Sequence, residues 1–272
     1  MNIEFTKMQG LGNDFIVLDL RLKNIPGLPK KIKKLSHRMF GIGFDQALIL
    51  RASKKADFRM DIYNADGRRV EMCGNGIRCL AMYIWKKKLS IKSMLEIETL
   101  AGIIRPEKKR GLARVDMGEA ILEGSLIPTR TSGLIVDRPL IAGDREFLVT
   151  SVSMGNPHAV IFVDDVGSFP VARYGQLIEN DPFFPKRTNV EFVQVLSSKK
   201  LRMRVWERGA GETLACGTGA CAAAVAANLK GLAGKTVDVL LPGGVLKIEI
   251  KDDNRVYMTG PGQEVFEGRL TV

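Results

Sequence analysis

The chain has 272 residues, of which 45% are hydrophobic and 26% charged, and its formal net charge is +11. This length suffices for one large domain or two ordinary domains with hydrophobic cores. No stretch approaches the roughly 20 continuous apolar residues of a membrane-spanning helix, and the N-terminus lacks the pattern of a signal peptide. Composition therefore predicts a globular cytoplasmic protein that does not insert into a membrane.

The excess of lysine and arginine makes nucleic acid one partner to consider, because clustered cations neutralise phosphates. The basic clusters are scattered, however, over residues 30–34, 86–88, 108–110 and 197–200. Each suits a solvated helix edge or a turn between strands, and no aromatic-rich strand accompanies them. The pattern argues against nucleic-acid binding, and an anionic small substrate explains the charge equally well.

The four cysteines, Cys73, Cys79, Cys216 and Cys221, are too few and too oddly spaced for a secreted disulfide scaffold. Their spacings also miss the two-residue gap of common structural zinc sites, and the chain has only two histidines. We therefore expect no metal site.

The predicted elements follow the same order in each half of the chain. The first half has strands near its start, a helical segment at 30–40, a strand at 45–52, a strand ending at Asn64, a helix over Ile77–Trp85, and closing strands with glycine-bearing turns. The second half repeats this order, with a helical segment at 169–180, a strand at 189–196 and a strand ending at Glu207.

One constant offset relates the two halves. Cys73 in "EMCGNGIRCLA" and Cys216 in "LACGTGACAAA" are 143 positions apart. The same offset of 143 pairs Asn13 with Asn156, Gln46 with Asn189, and Asn64 with Glu207. A fixed offset over so many features indicates an internal repeat.

The repeat predicts an α+β fold of two similar, pseudo-twofold-related domains, each a curved and mostly antiparallel sheet around one central helix. We place the N-terminal domain at residues 1–118 plus 262–272 and the C-terminal domain at 119–261. In the second domain the central helix is rich in alanine, because a helix enclosed by a sheet must be slim and apolar on nearly every side. Gly231 is its natural C-terminal stop. Cys79 and Cys221 lie inside the helices, where cysteine acts as a small buried hydrophobe.

Cys73 and Cys216 precede the helices, and the residues after them suit a ligand site. Gly74 and Gly217 permit close approach of the backbone, while Asn75 and Thr218 are residue types that cap helices. The first N–H groups of a helix are unpaired and carry partial positive charge, so both positions suit a carboxylate or phosphate. The same field is expected to lower the pKa of a thiol at this position.

Two such helix starts facing one cleft would place a sulfur on each side of an α-carbon. A thiolate on one side removes the proton, a thiol on the other side delivers one, and the stereocentre inverts. Charge that develops on the substrate carboxylate is stabilised by the helix termini, without a cofactor.

The motifs "GLGNDF", "DQALIL", "MDIYNADG", "EMCGNGIRC", "MGNPHAV", "RTNVEFV", "ERGAGETLACGTGACA" and "VYMTGP" together resemble the diaminopimelate epimerase family. The resemblance covers residues 7 to about 268. It implies a cofactor-independent enzyme, a homodimer in the family, that interconverts LL- and meso-diaminopimelate for lysine and peptidoglycan synthesis on two similar domains.

The resemblance also implies roles for individual residues. Cys73 and Cys216 would be the acid/base pair, with Glu207 and His158 supporting proton transfer. The backbone N–H groups of Gly74, Asn75, Gly217 and Thr218 would hold the α-carboxylate. The polar remainder of the substrate, including its distal carboxylate, would meet Asn13, Gln46, Asn64, Asn156, Asn189, Glu207 and Arg208, and the planar fork of Arg208 suits a carboxylate.

From the sequence alone, purely structural roles stay open for several of these residues. Asn13, Asn64 and Asn156 suit ordinary turns beside glycine, and His158 and His37 could be ordinary satisfied histidines. The family commonly has histidine where this chain has Gln9, so no titrating group is required there. Other functions also stay open: another substrate on the same scaffold, as in proline racemase-like relatives, a redox protein with a working Cys73–Cys216 disulfide, or a binding module with inert cysteines.

Facing thiols predict a sensitivity to oxidation. Peroxide converts one thiol to a sulfenic acid with release of water, and the second thiol then forms a disulfide with release of a second water. We expect substrate-free protein to lose activity with peroxide and to regain it with dithiol. A reductant-free sample that stays fully active after peroxide would contradict the facing geometry.

Overall fold

A computed structural model of the chain describes residues 2–71 and 73–271. Contacts divide it into two compact units, Met1–Asp116 with Thr259–Val272, and Met117–Met258. The two points of division fall inside the strands Leu112–Glu119 and Arg255–Gly260.

The first half of the chain contains nine strands and two helices among the described residues. The strands are β1 (Asn2–Gly10), β2 (Asn13–Asp19), β3 (Gln46–Arg51), β4 (Phe58–Asn64), β5 (Arg69–Val70), β6 (Ile97–Thr99), β7 (Gly102–Ile104), β8 (Glu107–Lys109) and β9 (Leu112–Glu119). The helices are α1 (Leu28–Leu35) and α2 (Gly74–Lys86). The predicted turn at 108–110 is confirmed, since β8 and β9 form an antiparallel hairpin across residues 110–111.

The remainder contains ten strands and two helices among the described residues. The strands are β10 (Arg138–Ala142), β11 (Arg145–Ser153), β12 (Pro157–Phe162), β13 (Asn189–Ser197), β14 (Lys200–Glu207), β15 (Gly211–Thr213), β16 (Thr236–Leu241), β17 (Gly244–Ile250), β18 (Arg255–Gly260) and β19 (Gln263–Thr271). The helices are α3 (Val171–Glu179) and α4 (Gly217–Leu229).

The sheets of the two units have matching strand orders. The first sheet has the order β19-β1-β2-β3-β4-β6-β7, with β5 on β4. The second sheet begins with the order β10-β11-β12-β13-β14-β16-β17, with β15 on β14, and continues through β18, β9 and β8. Each sheet contains two parallel pairs at matching places: β2–β3 and β4–β6 in the first sheet, and β12–β13 and β14–β16 in the second. The other strand pairs up to β7 and β17 are antiparallel. β19 therefore takes the place in the first sheet that β10 takes in the second. The predicted return of the C-terminal segment to the first half is confirmed.

A large helix lies against one face of each sheet. α2 contacts β1, β2, β3 and β19, and α4 contacts β11, β12, β13, β14, β16 and β17. α4 is buried over most of its length, including Ala220 to Ala227. The alanines let it fit inside the curve of the sheet, and Gly231 (φ +68°) follows its C-terminus as predicted. Cys79 and Cys221 are fully buried, also as predicted.

A smaller helix covers the opposite face. α1 packs its Leu28, Ile32 and Leu35 into a cluster with Ala47 and Ile49 of β3. In the second unit, α3 packs against Val190 and Phe192 of β13 in the same way. The α+β fold class predicted from the repeat is confirmed.

One predicted element is shorter than expected. The helical segment predicted at 30–40 is helical only to Leu35, whose carbonyl accepts the N–H groups of Ile42 (2.8 Å) and Gly43 (3.1 Å). A Cβ at Gly41 would lie 2.3 Å from that carbonyl oxygen. The loop returns to the end of the helix instead of extending it.

The enclosure of α4 leads to a prediction about stability. Ala223 is fully buried, so Ala223→Leu inserts a bulky side chain into a packed core and should lower the free energy of unfolding by about 1–3 kcal/mol or more. Lys247→Leu introduces the same side chain at an exposed position of β17 and should change the free energy of unfolding by less than about 0.5 kcal/mol. Urea denaturation measures both. Equal effects would contradict the tight enclosure of α4.

Candidate active site

Each central helix begins at a cysteine. Cys73 and Cys216 have extended backbones and cap α2 and α4. Their Sγ atoms accept the N–H groups of Gly76 (3.4 Å) and Gly219 (3.3 Å). Neither helix has an acidic residue in its first turn, so its positive end is not neutralised from within. Both helix starts are therefore electrostatically suited to an anion.

In the first unit, two predicted asparagines lie beside Cys73. Asn13 Oδ1 is 3.9 Å from the sulfur and accepts a hydrogen bond from Asn75 Nδ2 at 3.3 Å. Asn13 Nδ2 donates to Asp45 Oδ2 at 2.7 Å. Because Asp45 fixes the amide of Asn13, the oxygen of that amide points to the helix start.

The other two predicted residues of this unit form a pair at the ends of neighbouring strands. Gln46 and Asn64 are opposite each other in the β3–β4 ladder, and Gln46 Nε2 donates to Asn64 Oδ1 at 2.9 Å. Gln46 Oε1 is buried and has no hydrogen-bond partner among the described residues. A buried acceptor without a hydrogen-bond partner suits a donor group of a ligand, such as an ammonium group.

Arg78, which no sequence motif revealed, is fully buried and holds the first turn of α2. Its guanidinium donates to Asn75 Oδ1 (2.9 Å), to the carbonyl of Gly74 (3.2 Å) and to the carbonyl of Pro261 (3.2 Å). Pro261 comes from the C-terminal segment of the same unit. The helix start is therefore held by a contact between residues far apart in sequence.

In the second unit, Cys216 lies among predicted residues. Its sulfur is 3.4 Å from Thr218 Oγ1, and the charge of Glu207 acts on it. Glu207 Oε1 accepts the hydroxyl of Thr213 from β15. Thr213 therefore orients the carboxyl group beside the thiol.

His158 lies in a buried polar chain with one predicted partner and one that was missed. Its Nε2 is 3.0 Å from Asn156 Oδ1, and its Nδ1 is 2.7 Å from Glu191 Oε1. His158 and Glu191 are both fully buried. Glu191 was missed because it stands in the strand "NVEFVQVLS", although an acidic residue in so apolar a strand was a signal.

Asn189 and Arg208 are joined through main-chain contacts. Asn189 Nδ2 donates to the carbonyl of Pro157 (2.9 Å), and its Oδ1 accepts the N–H of Arg208 (3.0 Å). The Arg208 side chain is exposed and donates to the carbonyl of Lys186 (3.1 Å). Asn189 thus positions the backbone that carries Arg208.

Burial dominates the electrostatics at Cys216. Burial raises the pKa of its thiol well above the usual value, and the charges of Glu207 and Glu191 raise it further. Hydrogen bonds from Thr218 and Gly219 lower the pKa but are smaller effects. The expectation that the helix terminus lowers the thiol pKa is therefore wrong for Cys216.

Glu207 is shifted in the same direction. Burial raises the pKa of its carboxyl above 4.5, and the neighbouring charge of Glu191 adds to this. Hydrogen bonds from Thr213 and Cys216 and the charge on His158 act against the shift. Cys216 and Glu207 are thus both driven toward their protonated forms.

Two residues outside these clusters have ordinary structural contacts. Gln9 donates to Gln263 Oε1 (2.6 Å) and accepts the N–H of Gly12 (2.9 Å), which ties β19 to the turn after β1. His37 is exposed and accepts the N–H groups of Met39 and Phe40, as expected for a satisfied histidine.

The described residues contain no helix long and apolar enough to cross a membrane. Within the same residues, no group of three or more His, Cys, Asp and Glu side chains is arranged to hold a metal ion.

Proteins of known structure that share this fold include an epimerase. Two solved structures share the fold over nearly their whole length. One is a phenazine biosynthesis protein of the PhzF family from Bacillus anthracis (TM-score 0.74, 14% identity, 100% of each chain). The other is a hydroxyproline epimerase from Agrobacterium vitis (TM-score 0.71, 13% identity, 99% of this chain and 92% of that one).

Sequence comparison is more specific. The family model for diaminopimelate epimerase matches residues 5–123 and 150–265. The diaminopimelate epimerase of Moorella thermoacetica is 50% identical over 98% of each chain. That of Carboxydothermus hydrogenoformans is 51% identical, again over 98% of each chain. The chain belongs to the diaminopimelate epimerase family.

The raised pKa of Glu207 leads to a prediction about the pH dependence of stability. Between 4.5 and its folded-state pKa, the folded state binds more protons at this carboxyl than the unfolded state does. The contribution of the Glu207 carboxyl to stability is therefore fully present below pH 4.5 and is lost as pH rises through its folded-state pKa. Glu207→Gln should become progressively more stable relative to the parent chain over that interval in urea denaturation.

Glu123→Gln is a control of opposite sign. Bonds from the Gly133 N–H and from Ser125 lower the pKa of the Glu123 carboxyl below 4.5. Its contribution is present above 4.5 and is lost as pH falls through the folded-state pKa. The Glu123 variant should thus lose stability relative to the parent chain as pH rises. A Glu207→Gln difference that does not change with pH would refute the assignment.

Proposed function

We propose that this chain interconverts LL- and meso-diaminopimelate by moving the proton on one α-carbon, with Cys73 and Cys216 as the two acid/base groups. The observation that supports this most strongly is the repeated cysteine cap. Each of the two similar units presents a thiol at the start of its central helix, and neither helix has an acidic residue in its first turn. Membership of the diaminopimelate epimerase family supports the choice of substrate.

The mechanism requires both helix starts to act on one substrate. The backbone N–H groups of Gly74, Asn75, Gly217 and Thr218 bind the α-carboxylate and stabilise the charge that it gains when the α-proton leaves. One cysteine, as thiolate, takes that proton, and the other, as thiol, gives its own proton to the opposite face. The substrate changes configuration, and the two cysteines exchange protonation states.

Glu207 explains how Cys216 can act as a base although the pKa of its thiol is raised. When Cys216 must act as base, its proton passes to the carboxylate of Glu207, whose own raised pKa makes it a stronger proton acceptor than an ordinary carboxylate. When Cys216 acts as acid, its protonated form is already favoured. His158 supports proton transfer in the same way from its buried position.

The remaining polar residues define the substrate. Gln46 has a buried acceptor that suits a substrate ammonium group. Asn13, Asn64, Asn156 and Asn189 supply amide groups, and Arg208 binds the distal carboxylate through its planar fork. We further propose that the enzyme needs no metal or cofactor and acts in the cytoplasm as a homodimer, an oligomeric state that sedimentation measures directly.

Deuterium exchange tests this proposal. In heavy water without added cofactor, the parent chain should place deuterium at the α-carbon of diaminopimelate, because the acid thiol carries a solvent-derived deuteron. Cys73→Ala and Cys216→Ala should each lower this rate by about 10²- to 10⁴-fold or more, since each removes an acid/base group. Mass spectrometry of the recovered amino acid measures the exchange.

Cys79→Ala and Cys221→Ala are matched controls, because both cysteines are buried inside the same two helices. They should retain the parent rate. Exchange that is absent from the parent chain, or intact in both of the Cys73 and Cys216 variants, would refute the proposal. Turnover of disulfide substrates in its place would indicate a redox protein.

A further inference from the structure

The repeat places different chemistry beneath its two cysteine-capped helices. At the offset of 143, Phe15 of β2 corresponds to His158 of β12, and Leu48 of β3 corresponds to Glu191 of β13. A Cβ at Gly76 would lie 2.9 Å from Leu48 Cδ2 and 3.5 Å from Phe15 Cε1. A Cβ at the corresponding Gly219 would lie 2.7 Å from Glu191 Oε1. An apolar pair in one unit is thus an ionisable pair in the other.

Packing does not require the ionisable pair. Phe15, Leu48, His158 and Glu191 are all fully buried, so the backbone accommodates either pair at this place. Removing two ionisable groups from water has a larger cost than burying two apolar side chains of similar volume. The second unit therefore keeps a less favourable pair at a position where the first unit shows that an apolar pair suffices.

The contacts of the pair are those of an oriented proton carrier. Glu191 Oε1 is 2.7 Å from His158 Nδ1, and Asn156 Oδ1 is 3.0 Å from Nε2. An ionised carboxylate only accepts hydrogen bonds, so it keeps a proton on Nδ1. When a second proton binds at Nε2, that N–H can donate a hydrogen bond to Asn156 Oδ1. The imidazolium formed in this way is satisfied at both nitrogens and is compensated by the charge of Glu191.

We propose that Glu191 is a positioning residue of the reaction, which acts through His158 by fixing the ring, its Nδ1 proton and the charge that the ring gains. This inference rests on the proposed function, in which His158 supports proton transfer. Glu191 is fully buried and bonded to His158, so this role requires no contact between Glu191 and the substrate. Its second oxygen, Oε2, is buried without a hydrogen-bond partner among the described residues, which leaves the bond to His158 as its strongest orienting contact.

Glu191→Gln is the decisive variant, because it keeps the shape and removes the charge. We expect the deuterium-exchange rate to fall by between about 10-fold and 10⁴-fold, as when a carboxylate that orients a histidine is lost elsewhere. KM should change much less than kcat. The pH profile of kcat should also change shape, since an imidazolium formed at His158 during the reaction then lacks its fixed counter-charge.

Ring nitrogen spectroscopy gives a readout that a purely structural role would not move. The chain has only two histidines, so ¹⁵N-histidine labelling yields two ring patterns, and His37→Gln assigns them. The parent His158 should show a protonated Nδ1. Glu191→Gln should change that pattern, because a glutamine amide can either accept or donate, while the exposed His37 stays unchanged as an internal control.

Double variants separate a positioning role from a packing role. If Glu191 acts through His158, Glu191→Gln should cause no further loss of rate in a His158→Phe background. The pair His158→Phe with Glu191→Leu copies the apolar pair of the first unit. It should remain folded with a thermal midpoint at or above that of the parent chain, yet be as slow as His158→Phe alone.

The outcomes are distinguishable. A Glu191→Gln protein with the parent rate, pH profile and ring pattern overturns the positioning role while the proposed function stands. The positioning role is also overturned if the rate loss of the Glu191→Gln, His158→Phe double variant equals the product of the two single losses. If Glu191→Gln does not fold, the apolar double variant still decides, because a folded double variant with the parent rate overturns the role. A parent chain without exchange refutes the proposed function and this inference with it.

Discussion

The hydrogen bond from the N3 amide of each central helix to a cysteine sulfur is the interaction on which the rest of the site depends. Sulfur is a weaker acceptor than the oxygens of Ser, Thr, Asn or Asp, which stabilise a helix start by about 1 kcal/mol relative to Ala. Capping by cysteine therefore gives up local stability. The burial of α2 and α4 against their sheets offsets this, since both helices are buried along most of their length.

This cap also restricts the residue at N3. Gly76 and Gly219 occupy it, and a Cβ at Gly219 would lie 3.3 Å from the Cys216 sulfur and 2.7 Å from Glu191 Oε1. Any larger residue would displace either the thiol or the carboxylate beneath it. The glycine is thus required by the side chains around it, in addition to permitting a ligand to approach.

The two possible influences on the Cys216 thiol can be ranked by size. A helix terminus stabilises a nearby charge by about 0.3–1 kcal/mol, which is less than one pKa unit at about 1.4 kcal/mol per unit. Burial of an ionisable group shifts its pKa by up to several units. Burial dominates at Cys216, where two carboxylates add to it. Sequence reveals the helix terminus, but the depth of the sulfur depends on how the sheet closes around the helix.

The same distinction explains how much the sequence could predict. The repeat predicted the order of elements and the two cysteine caps, because both are encoded within short segments. It could not predict the end of α1 at Leu35, which depends on a loop that returns to the Leu35 carbonyl. Arg78 and Glu191 were missed for a related reason: Arg78 reaches Pro261, 183 positions away, and Glu191 reaches His158, 33 positions away. Pairs of this kind become visible only when strands are placed side by side.

The polar differences between the halves bear directly on the chemistry of a two-cysteine reaction. A base and an acid with identical surroundings would have the same resting protonation state, whereas the reaction needs one thiolate and one thiol. Near Cys216, Glu207 replaces Asn64, Glu191 replaces Leu48 and His158 replaces Phe15, all at one offset. The carboxylates favour the thiol form of Cys216. In the proposed mechanism, Glu207 receives the thiol proton when Cys216 acts as base. A repeated backbone therefore supplies a cysteine-capped helix start in each unit, and unequal side chains beneath these starts supply the difference in protonation that the proposed reaction needs.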